Sequence, residues 1–425
     1  MERKRIRMLI QERRKGLTTI SLGILILIVV VSLAFTYPTI YPTGTTIYKP
    51  DKCWNGFTLV PYEGGGVTLL IDMNGNVVHK WNIGAERARL TPNGHLVLIK
   101  GGDNKVREYN WQGNLVWEYE VPVGPHHEIR YPTPGIVHHD LQRVPNGNTI
   151  FLYHETVPPK YMKLVTNPAR RAVKIIGDCI CEVNKQKKIV WEWHEYKHLD
   201  LNNYSKLDGL NDWTHTNTVQ VLPQNHWYKE GHKEFKPGNV LTCPRHLDTI
   251  MIIDRATKKV VWEYSGTYRR GLAHPHEPHM IEPGLPGAGN ILIFDNGVGP
   301  RSHDGSSIVL EINPVTKKIV WKYERGKEFF SDIQSTEQRL PNGNTFIVES
   351  TPGRLFEVTP KGEIVWEYVM LPLNPNDLHA SASRPHRYSY DYCPQLRVLP
   401  HPQELAVTPP KNVEWHLVPD PFLMN

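Results

Sequence analysis

Histidine is the residue type whose placement in this sequence most directly suggests chemistry. The chain contains 21 histidines, and several stand at the start of an apolar run that leads into a turn of the Pro-Asn-Gly-Asn kind. They are His138 and His139 in GIVHHDLQRVPNGN, His215 in DWTHTNTVQVLP, and His274, His276 and His279 in HPHEPHMIEPGLPGAGN. Because these segments lie far apart in sequence, they act together only if the fold brings equivalent positions to one point.

Arginine and histidine together suit chemistry on an oxyanion. Arg245 and His246 are adjacent in LTCPRHLDTIMIID. A guanidinium presents a planar fork of donors to sulfate, phosphate or carboxylate, and an imidazole near neutral pH can act as acid, base or nucleophile. A metal site is the alternative, since HPHEPH places Glu277 among possible histidine ligands. A nearby Arg245 would repel a cation, so anion chemistry is favoured and the presence of a metal stays open.

A repeated strand shows which elements must position these side chains. An apolar run built around tryptophan, as in VVWEY, occurs six times, with copies at Trp81, Trp117, Trp191, Trp262, Trp321 and Trp366. Most copies follow an earlier turn and strand, such as VPNGNTIFLY or LPNGNTFIV. Asn-Gly between apolar runs is a strong hairpin signal. Glycine and proline make up about 16% of the chain, which also favours many turns and short strands.

A unit of two hairpins that cannot bury its apolar face alone is typical of a propeller blade. Six copies therefore predict an all-β, six-bladed β-propeller, with insertions at 158–176 and 195–211 in loops. A two-sheet sandwich and chance recurrence of a good strand sequence are the weaker alternatives. In a propeller the innermost strands line a central channel, which is how the scattered histidines could meet.

The N-terminus differs from the rest of the chain. Residues 1–16 hold seven basic and two acidic residues and so account for five of the six net positive charges. The remainder is almost neutral, which argues against nucleic-acid binding. Residues 17–35 carry no charge and are long enough to cross a bilayer as a helix. The basic leader predicts a cytoplasmic N-terminus and an extracytoplasmic remainder, with an uncleaved anchor favoured over a cleaved signal peptide.

These observations divide the chain into four parts. Residues 1–36 form a cytoplasmic basic tail and membrane anchor, and residues 37–51 a spacer rich in proline and threonine. Residues 52–375 form the propeller. Residues 376–425 form a proline-rich C-terminal extension, which could wrap around the propeller or supply a strand that closes the ring.

Four ordered motifs make the chain resemble the aryl-sulfate sulfotransferase (arylsulfotransferase) family. They are HHD followed by PNGN, the DWxHxN block at 212–217, the Arg-His pair before an Ile-Ile-Asp strand, and GNILIFDNG after His279. The resemblance spans most of residues 52–370. It implies a six-bladed propeller, exported and in some members dimeric, that moves a sulfuryl group from a phenolic sulfate ester to another phenol. It implies no cofactor and no nucleotide donor such as PAPS.

The resemblance also implies site residues. It assigns catalytic roles to His139, His215 and Arg245, and it makes His279 the histidine that is transiently sulfated. The chain reads Pro-His-Met where the family commonly has Gln-His-Asp, so His276 is a competing nucleophile. Further possible participants are His138 and His246.

Three functions follow as expectations. The leading one is ping-pong sulfuryl transfer between a small aryl sulfate and a phenol, by a membrane-anchored propeller that could form a homodimer. A noncatalytic propeller that binds an anionic or aromatic ligand in its channel is the second. A metal- or quinone-dependent propeller enzyme is the third.

Overall fold

Twenty-five strands arranged in six antiparallel sheets make up the described part of this computed structural model. The structure describes residues 43–62, 66–122, 132–370, 382 and 384–408. Each sheet is one blade, so the predicted all-β six-bladed propeller is confirmed.

The first three blades are built from strands that follow one another in the chain. Strand β1 is Gly44–Tyr48. Blade one contains β2 (Phe57–Tyr62), β3 (Val67–Ile71) and β4 (Val77–Trp81). Blade two contains β5 (Arg87–Leu90), β6 (Leu96–Ile99), β7 (Lys105–Tyr109) and β8 (Leu115–Glu120). Blade three contains β9 (Val137–Arg143), β10 (Thr149–Thr156), β11 (Ile176–Val183) and β12 (Ile189–His194).

The last three blades repeat this order. Blade four contains β13 (Thr216–Val221), β14 (Val240–Pro244), β15 (Ile250–Ile253) and β16 (Val260–Tyr264). Blade five contains β17 (Pro275–Met280), β18 (Ile291–Asp295), β19 (Ile308–Ile312) and β20 (Ile319–Tyr323). Blade six contains β21 (Thr336–Arg339), β22 (Thr345–Glu349), β23 (Arg354–Val358) and β24 (Ile364–Val369). Strand β25 is His386–Tyr388.

Both ends of the described chain close the ring. Strand β1 adds to the outer side of blade six by pairing with β24. Strand β25 supplies the innermost strand of blade one by pairing with β2. Strand β1 lies in the stretch predicted as a spacer, and β25 in the stretch predicted as a C-terminal extension, so both stretches contribute strands to blades.

The hydrophobic core is divided among the blade interfaces. Six clusters of buried side chains each join two neighbouring blades. For example, Ile252 of blade four packs with Ile293 of blade five in one cluster. Period-two alternation explains this arrangement, because each strand buries one face against the preceding blade and the other against the next.

Five of the six repeated tryptophans join their blade to the next by a hydrogen bond. In each of these five the indole N–H donates to a carbonyl in the outer turn of the following blade, as from Trp191 to Arg255 (2.9 Å) and from Trp262 to Pro314 (2.9 Å). Among the described residues, the indole N–H of Trp81 has no such partner. The last copy closes the circle, since Trp366 donates to the carbonyl of Met73 in blade one (2.7 Å). The repeated tryptophan therefore contributes hydrogen bonds between blades as well as a recurring strand pattern.

Helix is scarce in the described residues, and the two insertions of blade three pack on each other. The four α-helices have four residues each: α1 (Pro159–Met162), α2 (Pro168–Arg171), α3 (His226–Lys229) and α4 (Pro394–Arg397). Short 3₁₀ turns are Pro50–Lys52, Glu195–Lys197, Lys233–Phe235, Arg245–Leu247, Tyr268–Arg270, Gly299–Arg301 and Gly326–Glu328. Val165 from the first insertion and Leu201 from the second share a separate small core with Trp213.

Within the described part of the chain, no helix is long and apolar enough to cross a membrane. The predicted anchor at residues 17–35 lies outside the described residues.

The innermost strands of blades three, four and five each carry a β-bulge. The pairing register shifts at 139–140 in β9, at 217–218 in β13 and at 277–278 in β17. Two bulge residues have left-handed backbones, His139 with φ 56° and Glu277 with φ 50°. Such backbones cost roughly 1–3 kcal/mol each and cluster at functional sites.

Candidate functional site

Four of the predicted site histidines and the predicted arginine line one cavity at the centre of the propeller. The cavity has a volume of about 550 Å³, which suits a small molecule. His138 and His139 come from β9, His215 precedes β13, Arg245 follows β14, and His276 comes from β17. Distant positions on inner strands do meet at one point, as the propeller geometry predicts. Glu86, Thr133 and Gln334 are further lining residues.

His279 lies elsewhere, in a second cavity. This cavity has a volume of about 1050 Å³ and its lining includes His279, Glu337 and His386. The Nδ1 atom of His279 lies 3.0 Å from the carbonyl oxygen of Glu277 and 3.5 Å from the Glu337 carboxylate. The structure thus brings together His139, His215 and Arg245 from the implied catalytic set, but not His279.

Position along the inner strand explains this division. His139 and His276 are near the beginnings of β9 and β17, and His215 precedes β13 by one residue. His279 is three residues beyond His276, which corresponds to roughly 10 Å of strand. Its side chain therefore enters the channel at a different height.

Asn296 fixes the orientation of His276. Its amide nitrogen donates to the carbonyl of Ser331 (2.7 Å), so its amide oxygen faces the ring, and Nδ1 of His276 lies 2.6 Å from that oxygen. An amide oxygen only accepts, so Nδ1 carries the hydrogen and Nε2 is left with a lone pair. Burial lowers the pKa of His276 well below the ordinary histidine value, and Arg245 lowers it further. The ring is therefore a neutral imidazole with a nucleophilic Nε2.

The backbone next to Asn296 requires glycine. Gly297 has φ 77°, and an added Cβ would lie 2.0 Å from the carbonyl oxygen of Ser306. The Asp-Asn-Gly sequence is thus needed to turn the chain where β18 ends. The GNILIFDNG block contained this signal, but sequence reasoning did not assign a role to its asparagine.

Beside His276, a row of imidazoles borders the cavity and extends behind it. The ring centroids of His139 and His215 are 4.8 Å apart, those of His215 and His246 are 4.7 Å apart, and those of His246 and His274 are 5.6 Å apart. His246 and His274 are buried behind the lining residues. Burial lowers the pKa of His246 to about 4, with His215 adding to the effect. His246 is therefore uncharged at neutral pH.

Two aspartates contact this row of imidazoles, one in the second insertion and one at the start of the DWxHxN block. Asp212 Oδ2 accepts from Nδ1 of His215 at 2.7 Å, and Asp208 Oδ2 lies 3.1 Å from Nε2 of His274. Although burial alone would raise the pKa of Asp208, its hydrogen bond from His274 keeps it well below the usual range. Asp212 lies within the DWxHxN block, but its role in orienting His215 was not predicted.

The asparagine of the same block ties two inner strands together. Asn217 donates to the carbonyl of Pro275 (2.8 Å), directly before His276, and its side chain is fully buried. The DWxHxN block therefore places its own histidine and also the strand that carries His276.

A buried layer of ion pairs accompanies the second cavity. Glu277 accepts from both terminal nitrogens of Arg87 (2.8 and 2.6 Å) and from Arg384 (2.6 Å). Arg87 also contacts Asp140 at 2.9 Å. Burial would raise the pKa of Glu277, but Arg87 and Arg384 hold it well below the usual range.

Consecutive residues on three inner elements point to opposite cavities. Glu86, His139 and His276 line the smaller cavity, and the residues that follow them, Arg87, Asp140 and Glu277, line the larger one. Three members of the ion-paired layer therefore line the larger cavity, each one residue beyond a residue that lines the smaller one.

Two donor sets at or beside the smaller cavity could hold a metal ion: one is His138, His154 and Asp178, and the other is Asp212, His215 and His246. Donor atoms of Asp212, His215 and His246 lie within 4.8 Å of one another. The existing 2.7 Å contact between Asp212 and His215 already satisfies that carboxylate by hydrogen bonding, and Arg245 lines the same cavity. A cation would have to share the space with that guanidinium.

Two aromatic residues of these segments, Trp213 and Tyr153, do not line the smaller cavity. Trp213 is buried in the small core of the insertions and donates to the carbonyl of Asn203 (2.9 Å). Tyr153 packs against the cluster between blades two and three.

Solved structures similar to this one are distant. A Bacteroides caccae protein of unknown function has 12% sequence identity and a TM-score of 0.47, and the match covers 74% of this chain and 93% of that one. A virginiamycin B lyase from Staphylococcus aureus has 11% identity and a TM-score of 0.39, with 79% and 88% covered. No curated protein matches the chain.

The family model described as Arylsulfotransferase (ASST) matches residues 45–269. This match spans more than half of the chain, and it includes the HHD and DWxHxN blocks and Arg245. The chain therefore belongs to the arylsulfotransferase family.

Proposed function

We propose that this protein transfers a sulfuryl group from an aryl sulfate ester to a phenol through a transient sulfohistidine on His276, without a nucleotide donor. The observation that carries the proposal is the cavity where His276, Arg245, His139 and His215 meet. Membership of the arylsulfotransferase family supports the substrate class.

In the first half-reaction the neutral Nε2 of His276 attacks sulfur in line with the departing phenolate. A nitrogen–sulfur bond forms and the sulfur–oxygen ester bond breaks, and the phenolate takes up a proton on leaving. Arg245 stabilises charge on the sulfuryl oxygens. A preorganised donor of this kind is worth roughly 2.7–4 kcal/mol of barrier.

In the second half-reaction a phenol attacks the sulfur of sulfated His276. Its proton passes to an imidazole that is neutral at working pH. Burial lowers the pKa of His139 well below the ordinary value, with His215 and His138 adding to the effect, which makes His139 the base in this scheme. The protonated ring then gives the proton to the next leaving phenolate, so both half-reactions use one group.

We choose His276 over His279 as the nucleophile because His276 shares its cavity with Arg245. The full chain in detergent is incubated with p-nitrophenyl sulfate, with and without phenol. The His276→Asn variant should lose at least about 10²-fold in acceptor-dependent nitrophenol release, whereas His279→Asn should keep most of it. Retained turnover in the first variant and lost turnover in the second would reverse the assignment.

A direct measurement identifies the intermediate. Incubation with the aryl sulfate alone should add one sulfuryl group to the protein, and digestion should locate it on the peptide that contains His276. Saturable ligand binding with no nitrophenol release from the unmodified chain would instead support the noncatalytic propeller.

Metal-dependent catalysis is the second candidate, and the donor set of Asp212, His215 and His246 is the observation that favours it. A chelator added to the same assay separates the two. If the sulfohistidine scheme is correct, nitrophenol release continues in the presence of the chelator. If release is lost and added Zn²⁺ restores it, the reaction depends on a metal.

The cellular location in this proposal is membrane-anchored, with the propeller on the extracytoplasmic side. Support comes from the basic leader and the uncharged run at residues 17–35. A homodimer is compatible with this proposal.

A further inference from the structure

The larger cavity is a space that the proposed sulfuryl transfer does not use. Its volume of about 1050 Å³ is ample for a small molecule. The inner strand of each blade contributes one polar side chain to its lining: Arg89, Gln142, Gln220, His279, Gln338 and His386. Polar groups that reach one space from all six blades make that space a candidate for ligand binding.

The three glutamines of this set hold neighbouring blades together. Each amide oxygen accepts from a backbone N–H in the inner strand of the next blade, as Gln142 does from Val221 (2.7 Å) and Gln220 from Met280 (2.7 Å). These side chains fix the wall of the cavity. A guanidinium and two imidazoles remain to contact a ligand.

Arg89 is the guanidinium beside the ion-paired layer that is most open to the cavity. Its side chain is 19% exposed, against 6% for Arg87 and 2% for Arg384. Three of its N–H groups donate to the carbonyls of Ala88 (3.0 Å) and Arg384 (2.9 Å) and to Glu277 (3.4 Å). Within the described part of the chain, its Nε–H and one N–H of Nη2 have no acceptor. These two donors lie on adjacent nitrogens of one planar group, which suits an oxyanion.

The ion-paired layer together with Arg89 carries more positive than negative charge. It contains the guanidiniums of Arg87, Arg89 and Arg384 but only two carboxylates, those of Asp140 and Glu277. Burial lowers the pKa of Arg89 to about 10, with Arg87 adding to the effect, so Arg89 is still a cation at neutral pH. An excess of buried positive charge favours a negatively charged ligand.

A third carboxyl group in this region, that of Glu337, does not compensate the excess. Burial raises the pKa of Glu337 well above its usual range, and the charge on Glu277 raises it further, so the group is uncharged at neutral pH. Its side chain is fully buried and lines the cavity. Among the residues that the structure describes, neither of its carboxyl oxygens has a hydrogen-bond partner. Buried polar groups are normally hydrogen-bonded, so Glu337 points to a ligand that supplies the partner.

His279 determines which kind of anion suits this cavity. Its Nδ1 lies 3.0 Å from the carbonyl oxygen of Glu277, and a carbonyl only accepts, so Nδ1 carries the hydrogen. Burial lowers the pKa of His279, so the ring is neutral and its Nε2 has a lone pair. An anion bound beside this nitrogen avoids repulsion only if it brings a hydrogen to the lone pair. Hydrogen phosphate has such a hydrogen near neutral pH, whereas sulfate has none.

We infer that the larger cavity is a second ligand site, which binds a singly protonated phosphate group between Arg89 and His279. The Nε–H and Nη2–H groups of Arg89 donate to phosphate oxygens, and the phosphate hydroxyl donates to Nε2 of His279. Free hydrogen phosphate and the phosphate of an organic monoester share this chemistry. The site is separate from the cavity of His276 and Arg245, and it does not depend on sulfuryl transfer.

The first test compares phosphate with sulfate on the unmodified chain. The full chain in detergent is titrated with inorganic phosphate at neutral pH by isothermal calorimetry, with and without an equal concentration of sulfate. Sulfate should bind at this site at least about tenfold more weakly than phosphate, because it leaves Nε2 of His279 without a hydrogen. One phosphate per chain should therefore remain bound in the presence of sulfate. An absence of saturable phosphate binding, or its loss in equal sulfate, would overturn the inference.

Arg89→Gln and Arg143→Gln form a matched pair of variants. Arg143 lines the same cavity, but its guanidinium is already ion-paired with Glu108. Arg89→Gln should abolish the phosphate binding that resists sulfate, whereas Arg143→Gln should keep it. Arg245→Gln, in the smaller cavity, should keep it as well. Binding that survives in Arg89→Gln, or that is lost equally in Arg143→Gln, would contradict the inference. If Arg89→Gln does not fold, the comparison of phosphate with sulfate on the unmodified chain still decides.

The His279→Gln variant tests the role of the lone pair. A glutamine amide can turn its NH₂ group toward the ligand, so sulfate should bind to this variant about as tightly as phosphate does. A preference for phosphate as strong as that of the unmodified chain would mean that His279 does not select the hydrogen, and the inference would fail.

Phenyl phosphate separates the two sources of the phosphate group. It is titrated into the unmodified chain under the same conditions as inorganic phosphate. Binding at least about tenfold tighter than that of inorganic phosphate assigns the site to an organic monoester, and equal or weaker binding assigns it to the free ion.

Discussion

Asn296 determines which nitrogen of His276 carries the hydrogen, because its amide oxygen faces the ring. It acts through the simplest rule of hydrogen bonding, since an acceptor can receive but not give a hydrogen. In the proposed scheme His276 thereby presents Nε2 for attack on sulfur, and the buried ring of His139 takes the proton of the phenol.

The buried state of these rings gives the activity a characteristic pH dependence. An ordinary histidine has a pKa of about 6.5, and burial puts that of His276 well below this value. A lowered pKa means that the nucleophile stays neutral until the solution is considerably more acidic. The acid limb of kcat/KM for p-nitrophenyl sulfate should therefore have its midpoint below pH 6.5.

A pH series with unmodified full chain checks this expectation. Nitrophenol leaves readily as its anion, so the acid limb of the pH profile reports a titration of the enzyme and not protonation of the leaving group. Half-maximal kcat/KM at or above pH 6.5 would contradict a buried neutral nucleophile.

The sequence allowed part of the site to be predicted, for reasons visible in single residues. His139, His215, Arg245 and His276 precede or begin recognisable strands, so propeller geometry alone predicts that they meet. The role of Asn296 was not predicted although it lies in the GNILIFDNG block, because that role depends on which ring packs beside it. His279 could have been separated from His276 by its height along the inner strand.

The blades show why the repeat could be recognised so readily from sequence. Each tryptophan copy lies in the outer strand of one blade, and five of the six indoles donate to the next blade, so one copy marks each blade. Strands β1 and β25 had no such signal: both are short, and each pairs with a strand more than 300 residues away in sequence. Non-local pairing leaves no local pattern to read.

The indole hydrogen bonds should contribute unequally to stability. Trp366 is fully buried and donates to the equally buried carbonyl of Met73. Trp366→Phe leaves that carbonyl with the Thr45 hydroxyl as its remaining side-chain donor (3.1 Å), and the lost hydrogen bond costs about 0.5–1.5 kcal/mol in the free energy of unfolding. Trp321 makes a similar bond to Pro360 in an exposed setting (2.9 Å), where water can replace the donor.

Denaturant unfolding of both variants measures the difference. The Trp321→Phe variant controls for the smaller ring. Its loss in the free energy of unfolding should be clearly smaller than that of Trp366→Phe. Equal losses would mean that ring volume matters and the hydrogen bond between blades six and one does not.

On the scale of the whole molecule, the ring is closed by β-strands at its two termini and by charge at its centre. Arg384 precedes β25, is 2% exposed, and contacts both Glu277 and the carbonyl of Asn217 (2.6 Å). One residue near the C-terminal closing strand therefore joins the inner strands of blades four and five.

The proposed membrane anchor at residues 17–35 determines where the whole molecule is held. If residues 17–35 hold the chain in the membrane, the protein expressed in bacteria should remain in the membrane fraction after a high-salt wash. Its intact mass should include residues 1–36. Protease added outside the inner membrane should digest the propeller and spare the basic tail, whereas a soluble chain that begins after residue 36 would indicate a cleaved signal peptide.

The ion-paired layer of Arg87, Arg384, Glu277 and Asp140 has a consequence for the order of binding and release. Arg87, Asp140 and Glu277 line the larger cavity and not the one that holds His276, whose own volume is about 550 Å³. A space of this size suits one small molecule at a time, so the released phenol must leave before the acceptor phenol enters. Bulky aryl groups that dissociate slowly should therefore lower turnover even where bond breaking is fast.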